Sequence, residues 1–481
     1  MTLAWYLAKA GKTCCIVERE LSLGGCHRVR RHQEQRLFTE HGPRVYSSAF
    51  VTFDALLSDM GLSMDALFVP YNFSITSTGQ RSLTSFGPGE VLAMAGAFAR
   101  LCVDPRFGSD TSVAQFMRDN AFSSASRDYV DRLCLLTDGA GSERYSLNEF
   151  LQIANHQALH KLLQPREPND VGLMRKWQRA LEQTGRVRII RGVQIDRLAP
   201  PRREREAGET EWVHRVMMPG NECLRARNVV LAMPPMHIER LLGASATSMR
   251  NAFGSTFGAF AINTAYETYI PITFHWRTKQ TLPSVWGFPL SEWGVLFIAL
   301  SEYMEPCTLA PNSVTLLSCA ISRTSVASSV TGRSANQTPS RAELIAEAFR
   351  QIRTVLPGLE APSFAVVSDE MTYDATSSQW RSRDTAFIKV PGDLVPPPQF
   401  ASATVPHLFN CGPHNQHSAY AATSIETAVC NAIALAHELC PNVQAPADNM
   451  SATSATSVVH TGVVIAGAAT VGVLAYNALK K

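Results

Sequence analysis

MTLAWYLAKAGKTCCIVERELSLGGCHR, residues 1–28, opens the chain and carries its strongest fold signal. Residues 1–10 have the pattern of an amphipathic helix, Gly11 ends that helix, and residues 12–18 form a short apolar run typical of a buried strand. A helix, a tight turn and a strand ending in an acid form the second half of a βαβ unit. In dinucleotide-binding folds, that acid accepts hydrogen bonds from the ribose hydroxyls. The stretch therefore predicts a Rossmann-like α/β lobe.

One part of this unit is not in the sequence. The opening strand and its G-x-G-x-x-G turn are expected directly before the helix, and Met1 already lies within the helix. Those glycines allow a pyrophosphate to approach the helix N-terminus. A misassigned start and a true loss of the loop both explain the pattern. The misassigned start is simpler, because the downstream segments still suit a cofactor, but the sequence leaves both open.

Two segments after the strand have the composition of a binding site. The glycine pair Gly24-Gly25 permits positive φ angles and close approach of the backbone to a phosphate, and Arg28 adds positive charge. Residues 38–46 then gather charged and polar groups around Gly42-Pro43. Such a mixture is unusual for a simple connection, so a functional segment is favoured over an ordinary loop.

The rest of the chain alternates helices and strands and then turns to strand formers. The predicted helices are 51–62, 90–101, 171–183 and 343–356, and the predicted strands lie within 186–197 and 225–233. Residues 255–325, rich in aromatics and strand formers, predict an antiparallel sheet. Residues 407–412 predict a strand that reaches a turn, and residues 418–438 predict a long closing helix.

Composition excludes several classes of protein. The 481 residues are 45% hydrophobic and 18% charged, and the net charge of +3 gives no field that would attract nucleic acid. The 11 cysteines include no CxxC pair, so neither a zinc site nor a disulfide scaffold is expected, and the body is placed in a reducing compartment. His414 and His417 lack a third ligand nearby, so no metal is predicted.

The C-terminal tail has a different character from the body. Residues 458–477 are apolar and carry no Asp, Glu, Lys or Arg, and they follow a polar linker at 441–457. About twenty apolar residues are needed to cross a bilayer. The tail therefore predicts a single transmembrane helix that anchors a cytoplasmic-side body, and a surface helix or a disordered tail is the alternative.

The order of these pieces resembles the flavin-containing amine oxidases and protoporphyrinogen oxidases, and it is also similar to UDP-galactopyranose mutase. The matching pieces span nearly all of residues 1–440: Ile16–Glu18, Gly24-Gly25, Glu40–Pro43, the strand pair around Val193, Val229–Pro235, and Cys411-Gly412 with its closing helix.

The resemblance implies FAD as cofactor and gives each matching position a role. Glu18, with Arg19 beside it, matches the acid that holds the adenosine ribose. The other implied FAD contacts are Gly24, Gly25 and Arg28 at the pyrophosphate, Gly42, Pro43 and Arg44 beside the isoalloxazine ring, Val193 at the adenine, and Gly412, Thr423, Ser424 and Ile425 near the flavin pyrimidine edge.

The chain departs from the family pattern at two places. Gly412 is followed by Pro413-His414, where the family usually has an acid, and no cysteine lies in the covalent-flavin context, so non-covalent FAD is expected. Lys279 matches the family lysine only by its region, and no catalytic residue is identified. Trp276, Trp286 and Trp293 are candidates for a substrate wall, with Trp380 approaching the flavin.

The expected architecture is a Rossmann-like FAD lobe with a parallel sheet, a substrate lobe of mixed or antiparallel sheet and helices, and the transmembrane tail. Its predicted parts are 1–70, 166–245 and 401–440 for the FAD lobe, 71–165 and 246–400 for the substrate lobe, 441–457 for the linker and 458–477 for the tail. The expected function is oxidation of a small molecule by hydride removal from a C–H next to nitrogen or a similar carbon. The alternatives are an FAD-dependent mutase or isomerase and a membrane-tethered, non-catalytic flavoprotein homologue.

Overall fold

The computed structural model describes residues 1–446 except 33–35, 43, 72–73, 77–85, 207–208, 268, 283–284, 288–290, 305–311, 393–396, 419 and 422. The α-helices of this part are α1 (Thr2–Lys9), α2 (Val51–Asp59), α3 (Met64–Leu67), α4 (Pro88–Val103), α5 (Val113–Asp119), α6 (Ser124–Asp138), α7 (Leu147–Leu159), α8 (Leu173–Gln183), α9 (Pro235–Ala244), α10 (Ser255–Asn263), α11 (Arg341–Arg353) and α12 (Ile425–Leu439).

The strands cover the first half of the chain as β1 (Cys14–Glu18), β2 (Val29–Arg31), β3 (Phe38–Glu40), β4 (Tyr46–Ser47), β5 (Phe68–Pro70), β6 (Ser74–Thr76), β7 (Leu162–Pro165), β8 (Val187–Arg191), β9 (Arg197–Glu206), β10 (Glu209–Met217), β11 (Cys223–Ala226) and β12 (Val229–Leu231). They continue as β13 (Ala265–Tyr266), β14 (Ile270–Trp276), β15 (Val285–Gly287), β16 (Val295–Ala299), β17 (Thr315–Ile321), β18 (Phe364–Val367), β19 (Met371–Asp374), β20 (Gln379–Ser382), β21 (Phe387–Ile388) and β22 (Leu408–Asn410).

The first lobe, formed by the segments predicted to bind FAD, contains the expected parallel pairing in two separate pairs of strands. β1 pairs in parallel with β8, and β12 pairs in parallel with β22. The other edge of β22 is bridged by Ala401, and no described strand joins the two pairs. The expected parallel pairing is therefore present, and among the described residues it forms two separate two-stranded pairs.

A layer of helices packs against this lobe, and helices from the start and the end of the chain share one hydrophobic core. The helix α8 places Trp177 and Leu181, one turn apart, into a core that also holds Phe53 of α2 and Val429 of α12. Residues four positions apart share one helix face, so the apolar side of α8 turns inward as its sequence pattern predicts. The long closing helix begins at Ile425, later than predicted, because the Ser424 hydroxyl caps it by accepting the N–H of Thr427 at 3.2 Å.

The second lobe is built on a six-stranded sheet in the order β18-β14-β17-β16-β15-β6. Its pairs are antiparallel except β15–β6, which confirms the predicted antiparallel sheet over most of 255–325, although residues 255–263 form α10 instead. On β17, Leu317 and Cys319 pack toward α11, while Leu316 and Ala320 pack toward α5–α7. This alternation buries both faces of the sheet.

No helix of the described residues is long and apolar enough to cross a membrane. The predicted transmembrane segment 458–477 and most of its linker lie outside the described residues.

Candidate functional site

The carboxyl end of β1 brings two predicted cofactor residues together. The Val193 N–H donates to the Glu18 carbonyl at 3.1 Å, just past the end of the β1–β8 pair. The Glu18 carboxylate accepts the Glu20 N–H at 2.9 Å and lies 3.1 Å from Arg28 Nη2. Its side chain stays 23% exposed, and a carboxylate has about four lone-pair sites, so acceptor capacity remains at this strand end.

The glycine pair forms the sharp turn that its sequence predicts. Gly24 has a φ of +122° and Gly25 a φ of +54°, which are backbone conformations that side chains disfavour. A Cβ at Gly24 would lie 3.1 Å from the Met174 Cγ, whereas one at Gly25 would meet no atom within 4 Å. The turn thus exposes the Gly25 backbone to an open space that a ligand can reach.

Arg28 and Arg19 meet at a carboxylate that comes from the far end of the chain. Arg28 Nη1 donates to both oxygens of Asp384 at 2.8 Å, and Arg30 donates to Asp384 at 2.7 Å. Arg19 Nη2 lies 3.5 Å from the same carboxylate. Burial alone would raise the pKa of Asp384, but Arg28 and Arg30 outweigh it and hold the pKa below its usual range. Asp384 is therefore a buried anion, and it already accepts hydrogen bonds from Arg28, the arginine predicted to bind the pyrophosphate.

The segment from Glu40 to Arg44 crosses the junction of the two lobes. Glu40 accepts the Ser318 hydroxyl at 2.6 Å, and burial raises the pKa of Glu40 to about 7. The His41 Nδ1 is bonded to Glu370 at 2.9 Å, and its Nε2 lies 3.1 Å from Glu267. Burial on its own lowers the pKa of His41, yet the two carboxylates hold it well above its usual value. Pro43 lies outside the described residues.

Beside this segment is a small cavity of about 10 Å³, the central cavity, with room for about one water molecule. It lies between the N-terminal strands and the turn after β16. Its lining residues are Val29, Glu40, Arg44, Tyr46, Gln164, Pro165, Asn169, Tyr303 and Met304. Glu40 and Arg44, which belong to the segment that the resemblance places beside the ring of the cofactor, both line this cavity.

The start of the closing helix is already bonded by side chains of α7. The Thr423 N–H donates to Glu149 Oε1 at 3.2 Å, and the Ala421 N–H donates to Gln152 Oε1 at 2.7 Å. Ser424 caps its own helix, and Ile425 is its first residue. Polar groups at a helix start are thus satisfied within the protein.

The closing turn lies at the ends of β12 and β22. The Cys411 N–H donates to the Leu231 carbonyl at 3.1 Å, and the Gly412 N–H donates to Asn415 Oδ1 at 2.9 Å. Cys411 is buried, which raises its pKa to about 12. Burial lowers the pKa of the Met1 amino group at the start of α1, and Cys411, Cys14 and Glu18 act against that shift.

No family model and no curated protein sequence match the chain. Solved structures do match it along nearly the whole length. Putrescine oxidase bound to putrescine aligns with 14% identity, a TM-score of 0.62, and coverage of 92% of this chain and 96% of that chain. Cyclohexylamine oxidase from Brevibacterium oxydans aligns with 15% identity, a TM-score of 0.60, and coverage of 91% and 96%. An oxidoreductase from Methanosarcina mazei aligns with 11% identity, a TM-score of 0.56, and coverage of 90% of this chain and 96% of that chain. The chain has the amine-oxidase fold. The resemblance drawn from the sequence is confirmed at the level of the fold.

Within the amine-oxidase fold, the aromatic residues expected at the site lie elsewhere. Trp276 and Trp293 are fully buried in the core between the six-stranded sheet and α11, and Trp380 packs there against Tyr373. Lys279 is exposed and pairs with Glu302 at 3.0 Å. The expectation for the three tryptophans was wrong because aromatic rings fill cores more often than they line sites. The Trp286 side chain lies outside the described residues.

Sequence reasoning missed the residues that complete the site from a distance. Asp384 and Glu370 come from the end of the second lobe, Glu149 comes from α7, and Gln164 and Asn169 follow one another around the end of β7. None of them belongs to a recognisable motif. A polar residue within a short apolar stretch, such as Gln164 after Leu162 and Leu163, was a local sequence signal for a site residue.

Proposed function

We propose that the protein is an FAD-dependent oxidoreductase of the amine-oxidase type, which removes a hydride from a C–H next to nitrogen or a similarly activated carbon of a small molecule. The observation that carries the proposal is the strand end at Glu18. There Glu18 accepts the Val193 N–H and pairs with Arg28, whose own N–H donates to Gly25 of the glycine turn, within the fold of putrescine oxidase and cyclohexylamine oxidase. This is the arrangement that binds a dinucleotide at the carboxyl ends of parallel strands.

Residues at the two ends of the expected FAD site have polar groups left to bind the cofactor, whereas the arginine expected at its pyrophosphate is already paired. Glu18 retains acceptor capacity for ribose hydroxyls, and the backbone at Gly25 faces open space. At the ring end, buried polar atoms of Gln164 and Asn169 have no described partner. Arg28, in contrast, is engaged by Asp384 and Glu18, so the pyrophosphate contact falls to the glycine backbone.

When bound, FAD supplies the hydride acceptor, and the chemistry itself belongs to the cofactor. The chain positions the substrate and excludes water. Tyr303 and Met304 close the central cavity on the side of the second lobe, and Glu40 and Arg44 line it on the side of the first. Ser318 holds the Glu40 carboxyl, and His41 is fixed between Glu370 and Glu267, so this segment is rigidly held.

A visible absorption spectrum of the purified full chain tests the proposal directly. A flavin spectrum is expected in the wild type, and Glu18→Ala is expected to lose flavin on gel filtration, because the ribose loses its acceptor. Glu222→Ala, which removes an exposed carboxylate elsewhere, is the matched control. Hydrogen peroxide release with substrate then separates an oxidase from a mutase or isomerase. A Glu18→Ala protein that stays fully yellow contradicts the assignment.

One observation favours a second candidate, a non-catalytic homologue without flavin. The arginine predicted for the pyrophosphate already holds an internal carboxylate, and the amide of Thr423 already holds Glu149. A protein that lost its cofactor would be expected to satisfy these groups internally in this way. A colourless wild-type protein that takes up no added FAD supports this candidate over the oxidoreductase.

The tail adds a proposed location. Residues 458–477 anchor the body to a membrane on its cytoplasmic, reducing side. Ala468→Arg places a charge near the middle of the segment, which costs about 2.5–3.5 kcal/mol in a transmembrane helix. Alkaline extraction of membranes should release this variant and retain the wild type and an Ala468→Leu control. Release of the wild type together with the variant contradicts the anchor.

A further inference from the structure

Three guanidinium groups of the first lobe converge on one carboxylate of the second lobe. Arg28 Nη1 donates to both oxygens of Asp384 at 2.8 Å, and Arg30 Nη2 donates to Asp384 Oδ2 at 2.7 Å. Arg19 Nη2 lies 3.5 Å from Asp384 Oδ1. Asp384 is buried, and these contacts surround its carboxylate, which has about four lone-pair sites. The three arginines therefore form an anion-binding cluster whose occupant is part of the protein itself.

The arginine cluster adjoins the glycine turn. The Arg28 N–H donates to the Gly25 carbonyl at 3.0 Å, and the Arg28 Nε donates to the Ser22 carbonyl at 2.8 Å, so Arg28 is bonded on both sides of Gly24. A Cβ at Gly25 would meet no atom within 4 Å, which leaves space for a ligand beside the cluster. An arginine next to an open backbone turn suits the binding of a phosphate, because its planar fork can donate two hydrogen bonds at once. Asp384 already holds that arginine.

The net charge of the arginine cluster decides how strongly it attracts an anion. Contacts of 3.5 Å or less join three guanidinium groups to three carboxylates, namely Arg19, Arg28, Arg30, Glu18, Glu20 and Asp384. The next charged groups, Arg383 at 3.9 Å and Glu370 at 3.6 Å, have opposite signs. The formal charges of the cluster therefore cancel, and a diphosphate gains little from it as a whole. Without the charge of Asp384, three positive and two negative charges remain.

We propose that Asp384 is an internal competitor, which lowers the affinity of the glycine turn for the diphosphate of a dinucleotide. It does so by holding Arg28 and by neutralising the cluster, so that the backbone of the turn is left to contact the diphosphate. The inference rests on the proposed function and deepens it, because it names the residue that limits cofactor affinity. Asp384 follows β20 of the second lobe, so a diphosphate that gained Arg28 would have to break a contact between the lobes.

Adenosine and ADP differ by the diphosphate alone, so calorimetric titration of both into the purified full chain isolates the contribution of the diphosphate. ADP should bind the wild type no more than about tenfold more tightly than adenosine, because Asp384 withholds the charge-assisted bond from Arg28. Asp384→Asn keeps the shape of the side chain and removes its charge. This variant should bind ADP at least about tenfold more tightly than the wild type and leave adenosine unchanged, since a bond to a charged group is about twice as strong as a neutral one.

Further variants show whether Arg28 supplies the gain. The double variant Arg28→Met/Asp384→Asn should bind ADP no more tightly than the wild type, because the released guanidinium is gone. Asp374→Asn is the matched control, since it removes a carboxylate that pairs with Arg381 at 3.0 Å elsewhere in the second lobe, and it should change neither titration. Inorganic pyrophosphate should raise the thermal midpoint of Asp384→Ala more than that of the wild type at the same ionic strength, because it replaces the lost carboxylate.

Titration of FAD, followed by its visible spectrum, separates this inference from the proposed function. A wild type that takes up FAD, together with a folded Asp384→Asn that binds ADP no more tightly, overturns the inference and leaves the proposed function standing. If neither protein takes up FAD but Asp384→Asn gains affinity for ADP, the proposed function fails and Asp384 keeps its role. The wild-type titrations decide if no variant folds: a preference for ADP over adenosine above about tenfold, or no binding of either, overturns the inference.

Discussion

Asp384 joins the two lobes by the shortest ionic contacts of the site, and its removal tests how much they hold. Asp384→Ala takes away the acceptor of two bonds from Arg28 and one from Arg30, at 2.7–2.8 Å. Arg28 is 4% exposed and would keep the Ser22 carbonyl at 2.8 Å and the Glu18 carboxylate at 3.1 Å. The substitution therefore leaves a buried guanidinium that is only partly compensated.

The structure allows the size of this effect to be worked out. Removing one partner of a buried ion pair costs about 3–5 kcal/mol. A chain of 481 residues has an unfolding entropy of about 1 kcal/mol/K at about 2.1 cal/mol/K per residue, so the unfolding midpoint should fall by about 3–5 °C. Because the folded-state pKa of Asp384 is depressed, its contribution is present above about pH 3.9 and is lost as pH falls through the lower folded-state pKa.

The assay is a double-mutant cycle followed by calorimetry or urea unfolding. Arg28→Met and Asp384→Ala are each compared with the double variant, in which neither member of the Arg28–Asp384 pair is left without the other. The double variant should lose less than the sum of the single losses, with a coupling of at least about 1 kcal/mol. Loss that is additive within about 0.5 kcal/mol, or an Asp384→Ala midpoint equal to that of the wild type, refutes the reasoning.

Three further predictions concern groups around the site. Glu426→Gln should destabilise the fold by about 1.5–3 kcal/mol in urea, because the carboxylate accepts two N–H groups at the start of α2, while the exposed Glu438→Gln should change little. As pH rises from about 4.5 to about 7, the wild type should lose roughly 3 kcal/mol of stability relative to Glu40→Gln, because the folded-state pKa of Glu40 is raised; equal pH slopes for the two proteins count against it. Gly24→Ala should lower the thermal midpoint more than Gly25→Ala, since both strain a positive φ but only the first meets a neighbouring side chain; the reverse order would contradict the described turn.

Local pattern was enough to predict the elements that carry a clear period. The bounds of the helices α1, α8 and α11 and of the strand β1 were predicted within a few residues. The spacing of apolar residues along the sequence shows directly which helix face or which short strand is buried. The start of α12 was misplaced by several residues, since the small residues before it read as helical. Only the cap at Ser424 sets the true boundary.

The pairing of charges could not be predicted in the same way. Arg28 and Asp384 are 356 positions apart, and His41 and Glu370 are 329 positions apart, so no spacing rule connects them. Burial on both faces of β14, β16 and β17 also removes the alternation that would distinguish a site-facing side chain such as Ser318 from a core residue.

Ion pairs at the junction join cations of one lobe to carboxylates of the other, and they hold the two lobes together beside the site. The cations Arg28, Arg30 and His41 come from the first lobe, whereas Glu370 and Asp384 come from the second. Separating the lobes would break the ion pairs between them, and breaking a buried pair costs several kcal/mol. The central cavity lies beside this junction, so its shape is expected to be set before a ligand arrives. A site whose walls are already in place spends little of a ligand's binding energy on ordering them.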